Sequence, residues 1–204
     1  MVLIALLAAG LLYMSLAPSL AIGPRYLQLV IILALAIPAM IAHRRHNVRL
    51  NALLGHAVGV VTTAFMIWSI ALLLRSLVAH TEAPLVLLRS GAALWVTNVL
   101  VFAHWYWQLD AGGPHDRLMT RGHSSGSFLF PQMTFDPASA LGREYRDWEP
   151  HFVDYLFLAF NTSTAFSATD TAVLTKWAKV LTMIQALISL VVIGVLVARS
   201  INIL

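Results

Sequence analysis

Long runs of apolar residues recur along the chain, and their length constrains its fold more than any other feature. They cover residues 2–22, 26–42, 51–79, 85–108 and 176–203. About 20 consecutive apolar residues are needed for an α-helix to cross the hydrocarbon core of a bilayer. Each run approaches or exceeds that length, so the sequence predicts five transmembrane helices.

The composition supports the same class of protein. Hydrophobic residues make up 59% of the chain and charged residues 11%, whereas a soluble domain carries about 25% charged residues. The net charge of +4 comes from arginines beside the apolar runs, which suits anchoring of helix ends in a lipid bilayer rather than binding of nucleic acid. The absence of cysteine excludes disulfide bonds and thiolate metal sites.

A sixth apolar segment, residues 152–165, is too short to cross a bilayer, with only about fourteen residues. A turn rich in hydroxyl groups follows it and leads to the last long apolar run. Backbone that is not helical at membrane depth persists only inside protein or beside a water-filled cavity. The sequence therefore predicts a re-entrant pore helix that enters the membrane partway and returns.

The same region resembles the pore module of two-helix potassium channels, in a divergent bacterial branch. The resemblance rests on Asp154-Tyr155-Leu156, Phe160, Thr164 and Asp170, followed by the run LTKWAKVLTMIQALISLVVIGVLVAR. It implies a filter and pore lining formed by Thr164, Ala165, Phe166, Ser167, Ala168, Thr169 and Asp170. The FLFPQM segment and the TDT turn also resemble those of uncharacterised bacterial membrane proteins, a family that implies no activity.

The filter of this chain departs from the family at its centre, because Ser167-Ala168-Thr169 stands where the channels have G-Y-G. Positive φ is costly for alanine and for a β-branched threonine. We therefore expect weak selectivity for small cations rather than strong potassium selectivity. Hydroxyl groups are expected to line the turn, from Thr162 and Ser163 as well as from the filter positions.

The closing helix carries one polar stripe on an otherwise apolar surface. Thr182, Gln185 and Ser189 recur at spacings of three and four residues, which places them on one face. That face is expected to line an inner cavity. Hydrogen bonding between neighbouring helices is an equally good interpretation.

These features predict an all-α membrane protein with five spanning helices and one re-entrant pore helix, assembled as a channel-like oligomer. Residues 1–84 would form three peripheral helices, 85–108 the outer pore helix, 109–150 a polar surface loop, and 151–204 the pore helix, turn and inner helix. One chain has too few lining helices to enclose a pore, so we expect a homotetramer. The predicted function is an ion channel in a bacterial inner membrane, with no cofactor.

Two alternatives remain open beside a channel. The chain could form a non-conducting, channel-like assembly that is structural or binds a partner. It could instead bind haem or a metal, since imidazoles from different helices can act as ligands. The histidines expected on one side of the membrane are His43, His46, His56 and His104.

Two further motifs match known patterns. Gly55 and Gly59 form a G-x-x-x-G in the third run, which is typical of close helix packing. Residues 122–126 match the hydrolase pattern G-x-S-x-G by letters, but their flanks lack the strand and helix of a nucleophile elbow. We therefore predict no catalytic residue and no enzyme activity.

The orientation in the membrane is predicted differently by two arguments. Arg44, Arg45 and Arg49 would make the side of the pore turn cytoplasmic under the positive-inside rule. The channel resemblance places the pore turn outside and leaves Arg25 and Arg199 inside. We favour the resemblance, because long loops contribute less to the rule.

Overall fold

The computed structural model describes residues 1–119, 126–166 and 170–200. Helices account for most of these residues, and one short two-stranded ladder is the remaining regular element. The helices are α1 (Val2–Met14), α2 (Leu27–Arg44), α3 (Val48–Ala79), α4 (Pro84–Leu109), α5 (Pro114–Met119), α6 (Ala140–Glu144), α7 (Phe152–Ala165) and α8 (Lys176–Ser200), with 3₁₀ turns at Pro18–Leu20, Asp110–Gly112 and Pro131–Met133. The strands are β1 (Phe128–Leu129) and β2 (Ala172–Val173).

Within the described residues, four helices are long and apolar enough to cross a membrane. They are Leu27–Arg44 with 18 residues, Val48–Ala79 with 32, Pro84–Gly112 with 29 and Lys176–Arg199 with 24. The all-α class is therefore confirmed, and the chain is compatible with an integral membrane protein. Five spanning helices stay a prediction.

The first apolar run is shorter as a helix than the sequence predicted. Helix α1 has 13 residues and ends at Met14, and Ala17 is extended with φ −60° and ψ 146° before the 3₁₀ turn at Pro18. A residue that precedes proline avoids the helical region, because the proline ring clashes with its backbone. The run is therefore a short helix followed by a turn, whose Leu16 and Leu20 are buried.

Helix α4 lies at the centre of the molecule. It packs against α1, α3, α7 and α8. In its most apolar 18-residue stretch, 50% of the residues are buried, compared with 22 to 33% in the other three long helices. Helix α3 packs between α2 and α4, and α1 contacts both α2 and α4. Each peripheral helix keeps an exposed apolar face, as expected for a surface that contacts lipid.

Helices α7 and α8 begin at the same end of α4. Trp107, near the end of α4, contacts Phe152 and Tyr155 in the first turn of α7. The ring of Trp95, further back along α4, lies 5.9 Å from that of Phe160 in α7. Helix α7 therefore runs antiparallel to α4.

The course of α8 follows from contacts at both of its ends. Trp177, at its start, lies against Phe128, which also contacts Tyr106 near the end of α4. At its other end, the Arg199 guanidinium donates a hydrogen bond to the carbonyl of Leu77 in the last turn of α3. Both α7 and α8 thus run away from the same end of α4, and the chain between them has to return to that end.

The two-stranded ladder attaches the returning segment to the surface loop. Strands β1 and β2 are antiparallel, with Phe128 opposite Val173 and Leu129 opposite Ala172. Phe128 and Phe130 are 1% and 3% exposed, and the ring of Phe130 contacts those of Trp148 and Tyr155. The FLFPQM segment therefore packs onto the beginning of α7 and holds the end of the returning segment beside it.

Candidate functional site

The beginning of α7 is set by a cap and a proline. Pro150 precedes the helix, and Oδ2 of Asp154 accepts a hydrogen bond of 2.7 Å from the backbone N–H of His151. A carboxylate in the first helical turn also interacts favourably with the positive end of the helix dipole. Helix α7 begins and ends at the residues that the sequence predicted.

A buried carboxylate connects α7 to the end of α4. Asp110 is fully buried. Its Oδ2 accepts a hydrogen bond of 2.6 Å from the Tyr155 hydroxyl, and its Oδ1 one of 2.5 Å from the backbone N–H of Ser127. Arg117 donates to the backbone carbonyl of Asp110 at 2.7 Å. The end of α4, the surface loop and α7 therefore meet at this residue.

A second buried polar cluster holds α7 between α4 and α8. Nε2 of Gln185 donates to the carbonyl of Ala159 at 2.7 Å and to the hydroxyl of Ser163 at 2.8 Å. Oε1 of Gln185 accepts a hydrogen bond of 2.5 Å from the Tyr106 hydroxyl. Gln185 is fully buried, so one side chain of α8 contacts both α4 and α7.

One helical turn further along α8, the same pattern continues. Nδ2 of Asn98 donates to the hydroxyl of Ser189 at 2.7 Å and lies 3.4 Å from the carbonyl of Gln185. Asn98 and Ser189 are both fully buried. Gln185 and Ser189 therefore follow the alternative that the sequence left open, hydrogen bonding between helices, rather than the cavity lining predicted for them.

Thr182, the third residue of the predicted stripe, differs from the other two. It is half-buried, and its hydroxyl donates to the carbonyl of Lys179 within α8. It forms no hydrogen bond to another helix among those found in the described residues. Thr182 is thus the member of the stripe that faces the surface of the chain.

The hydroxyl groups of α7 also divide between two faces. Thr162 and Ser163 are 1% and 0% exposed, so they do not contribute to an exposed lining as the sequence predicted. The 100° advance per helical residue turns them toward α4 and α8, whereas Thr164 is exposed. The hydroxyl of Thr164 lies 3.1 Å from the carbonyl of Phe160 and is held against its own helix.

The predicted filter begins at the exposed end of α7. Ala165 is the last helical residue and is exposed, and Phe166 follows with φ +55° and 46% exposure. A positive φ is unusual for a residue with a large side chain, and here it ends the helix. Asp170 is exposed. The predicted positions Ser167, Ala168 and Thr169 lie outside the described residues.

The outer surfaces of α7 and α8 are apolar. Val153, Phe157 and Phe160 form an exposed stripe on α7 with 45 to 55% exposure. The exposed residues of α8 include Val180, Met183, Ile184, Leu187, Leu190, Val191 and Val197. This apolar surface is therefore uncovered on the single chain.

The paired glycines of α3 face α4. A Cβ added at Gly59 would lie 3.0 Å from Cζ2 of Trp105, and one at Gly55 would lie 2.6 Å from Nε2 of Gln108. The indole N–H of Trp105 also donates to the hydroxyl of Thr63 at 2.8 Å. The absence of side chains at these glycines lets the tryptophan and glutamine of α4 pack directly against α3.

The histidines suggested as ligands do not form one cluster. A ring nitrogen of His104 lies 3.0 Å from the carbonyl of Gly55, and one of His56 lies 2.7 Å from that of Ala52. His43 and His46 lie at the end of α2. In the described parts of the chain, no group of three or more histidine, aspartate or glutamate side chains is placed to hold a metal ion. The hydrolase-like residues 122–126 lie mostly outside the described residues.

Comparison with known proteins adds no relative. No protein-family model, curated protein or solved structure matches this chain.

The residues of α4 and its end that hydrogen-bond to α7 and α8 were not among the site residues predicted from the sequence. Asp110 and Asn98 are polar residues at the end and in the middle of an apolar run. Their position was a usable signal, because polar groups inside membrane helices need hydrogen-bond partners. Tyr106 stands among aromatic residues at the end of the same apolar run, and its hydroxyl points into the bundle toward Gln185.

Proposed function

We propose that this protein is a pore-loop ion channel with weak selectivity for small cations. The observation that carries the proposal is the course of α7 and α8, which both run away from the same end of α4 (contacts of Trp107 and Trp177). Helix α7 has 14 residues, which is about 21 Å at the rise of an α-helix, less than the hydrocarbon thickness of about 30 Å. A helix of that length that is followed by a return is the arrangement of a pore loop.

In this proposal, α4 is the outer helix, α7 the re-entrant pore helix and α8 the inner helix. Helices α1 to α3 form the periphery, and α1 with its following turn makes the fifth crossing. Four copies around an axis would bring their turns together, because one chain cannot enclose a pore. A bacterial inner membrane is the proposed location, since outer membranes are spanned by β-barrels rather than by helices.

The cation preference would come from the end of α7 and from Asp170. The carbonyl end of a helix is the negative end of its dipole and favours cations. Thr164, Ala165, Phe166 and Asp170 are exposed around this end, with Ser167 to Thr169 between them in sequence. An exposed carboxylate at the mouth would raise the local cation concentration further.

The inner cavity would be more apolar than the sequence suggested. Gln185 and Ser189 are turned into their own chain, so Thr182 and the exposed apolar residues of α8 would face the axis. Hydrophobic constrictions can close a pore by excluding water. The proposed channel would therefore have an apolar gate below a polar turn.

A non-conducting assembly is the second candidate, and one observation favours it. The buried polar groups of Gln185 and Ser189 find their partners within one chain. The inner helix thus has little need for water on its exposed face. A pore-loop fold with such a helix could serve as a structural or partner-binding assembly.

Flux through liposomes separates the two candidates. The full chain is reconstituted, its oligomeric state is measured by native mass spectrometry, and potassium, sodium and chloride fluxes are recorded. We expect four copies and cation flux that exceeds chloride flux. The variant Asp170→Asn should reduce the preference for cations, whereas the matched control Asp147→Asn, exposed in the surface loop, should not. A folded oligomer that passes no ion would refute the channel and support the second candidate.

A further inference from the structure

A cavity lies at the end of the bundle where α2 and α4 finish and α5 and α7 begin. Its volume is about 230 Å³, and its lining includes His43, Trp107, Pro114, Arg117, Glu149 and His151. Both α2 and α4 are long enough to cross a membrane. In a bundle that spans a membrane, the cavity would therefore lie at the level of the lipid headgroups, apart from the turn that follows α7.

The cation of this cavity is Arg117, and the protein satisfies it only in part. The side chain is 7% exposed, and its guanidinium lies 4.2 Å from the centre of the Trp107 ring. Nη1 donates to the carbonyl of Asp110, but Nη2 has no hydrogen-bond partner among the residues that the structure describes. Burial lowers the pKa of Arg117, because desolvation disfavours the charged form. The buried carboxylate of Asp110 already acts on Arg117 electrostatically, and a further anion in the cavity would stabilise the guanidinium more.

The anion of the cavity is Glu149, which is half-exposed. Its charge is close enough to act on Arg117 electrostatically, yet no hydrogen bond joins the two side chains in the described part of the protein. Among its described lining residues, the cavity thus contains one arginine and one glutamate that do not pair directly. A ligand that carries both charges could interact with each of them.

The remaining lining residues suit a phosphate ester. His43 lies in the last turn of α2, and His151 directly precedes α7. A neutral imidazole can donate one hydrogen bond to a phosphate oxygen. An arginine guanidinium binds phosphate through its planar set of N–H donors. A smaller cavity of about 80 Å³ adjoins through His43 and Pro114 and adds His46 and His115.

We propose that this cavity binds the headgroup of a zwitterionic phospholipid with a primary ammonium, with the phosphodiester toward Arg117 and the ammonium toward Glu149. The membrane is the expected source, because the cavity opens at the ends of two membrane-length helices. An acyl chain of the same lipid would then extend along the apolar surface of the bundle. This site is independent of ion conduction and does not depend on the proposed channel.

Native mass spectrometry of the full chain in detergent tests the proposal. Phosphatidylethanolamine and phosphatidylglycerol with the same acyl chains share the phosphodiester and differ in the ammonium. We expect the unaltered protein to bind phosphatidylethanolamine about fivefold more tightly, the ratio given by one partly exposed ion pair. The variant Glu149→Gln should bring the two affinities together, and the control Glu144→Gln, exposed in the same loop, should leave the ratio unchanged.

Two further measurements test whether Arg117 binds the phosphodiester and whether the ligand comes from the membrane. Arg117→Gln should weaken the binding of both lipids equally. Thermal unfolding checks that the Arg117→Gln variant is folded. If it is not, Glu149→Gln alone tests the proposal. Soluble phosphoethanolamine should displace the lipid poorly, since it lacks the acyl chains. Equal binding of the two lipids by the unaltered protein, or a ratio that persists in Glu149→Gln, would overturn the proposal. Tighter binding of the soluble ester than of the lipid would overturn the membrane source.

Discussion

The hydroxyl of Tyr155 lies 2.6 Å from Oδ2 of Asp110, and both residues are fully buried. This hydrogen bond joins the first turn of the short helix α7 to the end of the central helix α4. It fixes the point at which α7 enters the bundle. The second cluster, around Gln185, holds α7 further along, between α4 and α8. The two clusters together hold a short helix that has few other polar contacts.

Replacing Tyr155 by phenylalanine should destabilise the protein. The change keeps the ring against Trp107 and Phe128 but removes a donor from a buried carboxylate. A hydrogen bond to a charged group is worth about 1.5 to 3 kcal/mol. Thermal unfolding in detergent, followed by tryptophan fluorescence, should show this loss. Tyr145→Phe is the control, because its ring is only partly buried and contacts Phe135 in the surface loop; equal midpoints for the two variants would contradict the assigned role of Asp110.

Replacing Gln185 by leucine should loosen α7. The Ser163 and Tyr106 hydroxyls would each lose a partner inside the bundle. Hydrogen bonds between membrane helices contribute about 0.6 kcal/mol on average and up to about 1.7 kcal/mol, so we expect a loss of about 1 to 2 kcal/mol. Hydrogen exchange should become faster at the amides of α7 than at those of α3. Thr182→Val removes a hydroxyl that is bonded within α8 and should change exchange little; faster exchange in this variant to the same degree would indicate a general loosening instead.

Alanine at Gly59 should cost stability, whereas alanine at Gly194 should not. A Cβ at Gly59 would meet the rigid Trp105 ring at 3.0 Å, and one at Gly194 would meet nothing within 4 Å. Overpacking costs about 1 to 3 kcal/mol, while alanine gains up to about 1 kcal/mol over glycine in a helix. Gly194→Ala should therefore leave the free energy of unfolding unchanged or raise it. The free energy of unfolding of Gly59→Ala should be lower than that of Gly194→Ala by the cost of overpacking. Thermal unfolding midpoints of the two variants measure the difference, and a Gly59→Ala protein as stable as Gly194→Ala would refute close packing of α3 on α4.

Cysteine labelling should place the two ends of α4 on opposite sides of the membrane. The chain has no cysteine of its own, so Ala83→Cys before α4 and Glu144→Cys in the surface loop give clean reporters, both at exposed positions. We expect an impermeant thiol reagent to label residue 144 in intact cells and residue 83 only after permeabilisation. The reverse pattern would support the orientation given by the positive-inside rule. Labelling of both from one side would show that α4 does not cross.

The extent of the helices could be predicted from the sequence to a large degree. The bounds of α7 were correct, and those of α4 and α8 were close, because apolar length and the first-turn residues Asp154 and Pro84 act locally. The end of α1 was predicted too late, at residue 22 instead of Met14. Hydropathy continues smoothly through this region and does not report the backbone restriction that Pro18 imposes on Ala17.

The helices of membrane-spanning length and the short apolar helix were thus determined by the sequence alone, through the length and polarity of each run. Only the tertiary structure decided that Gln185, Ser189 and Ser163 face their own chain, and that Asp110 meets Tyr155. The physical reason is that helical periodicity places polar groups on a common face without specifying the neighbour of that face. Partners 22 to 91 positions apart, such as Ser163 with Gln185 and Asn98 with Ser189, are brought together by the packing of α7 and α8 against α4.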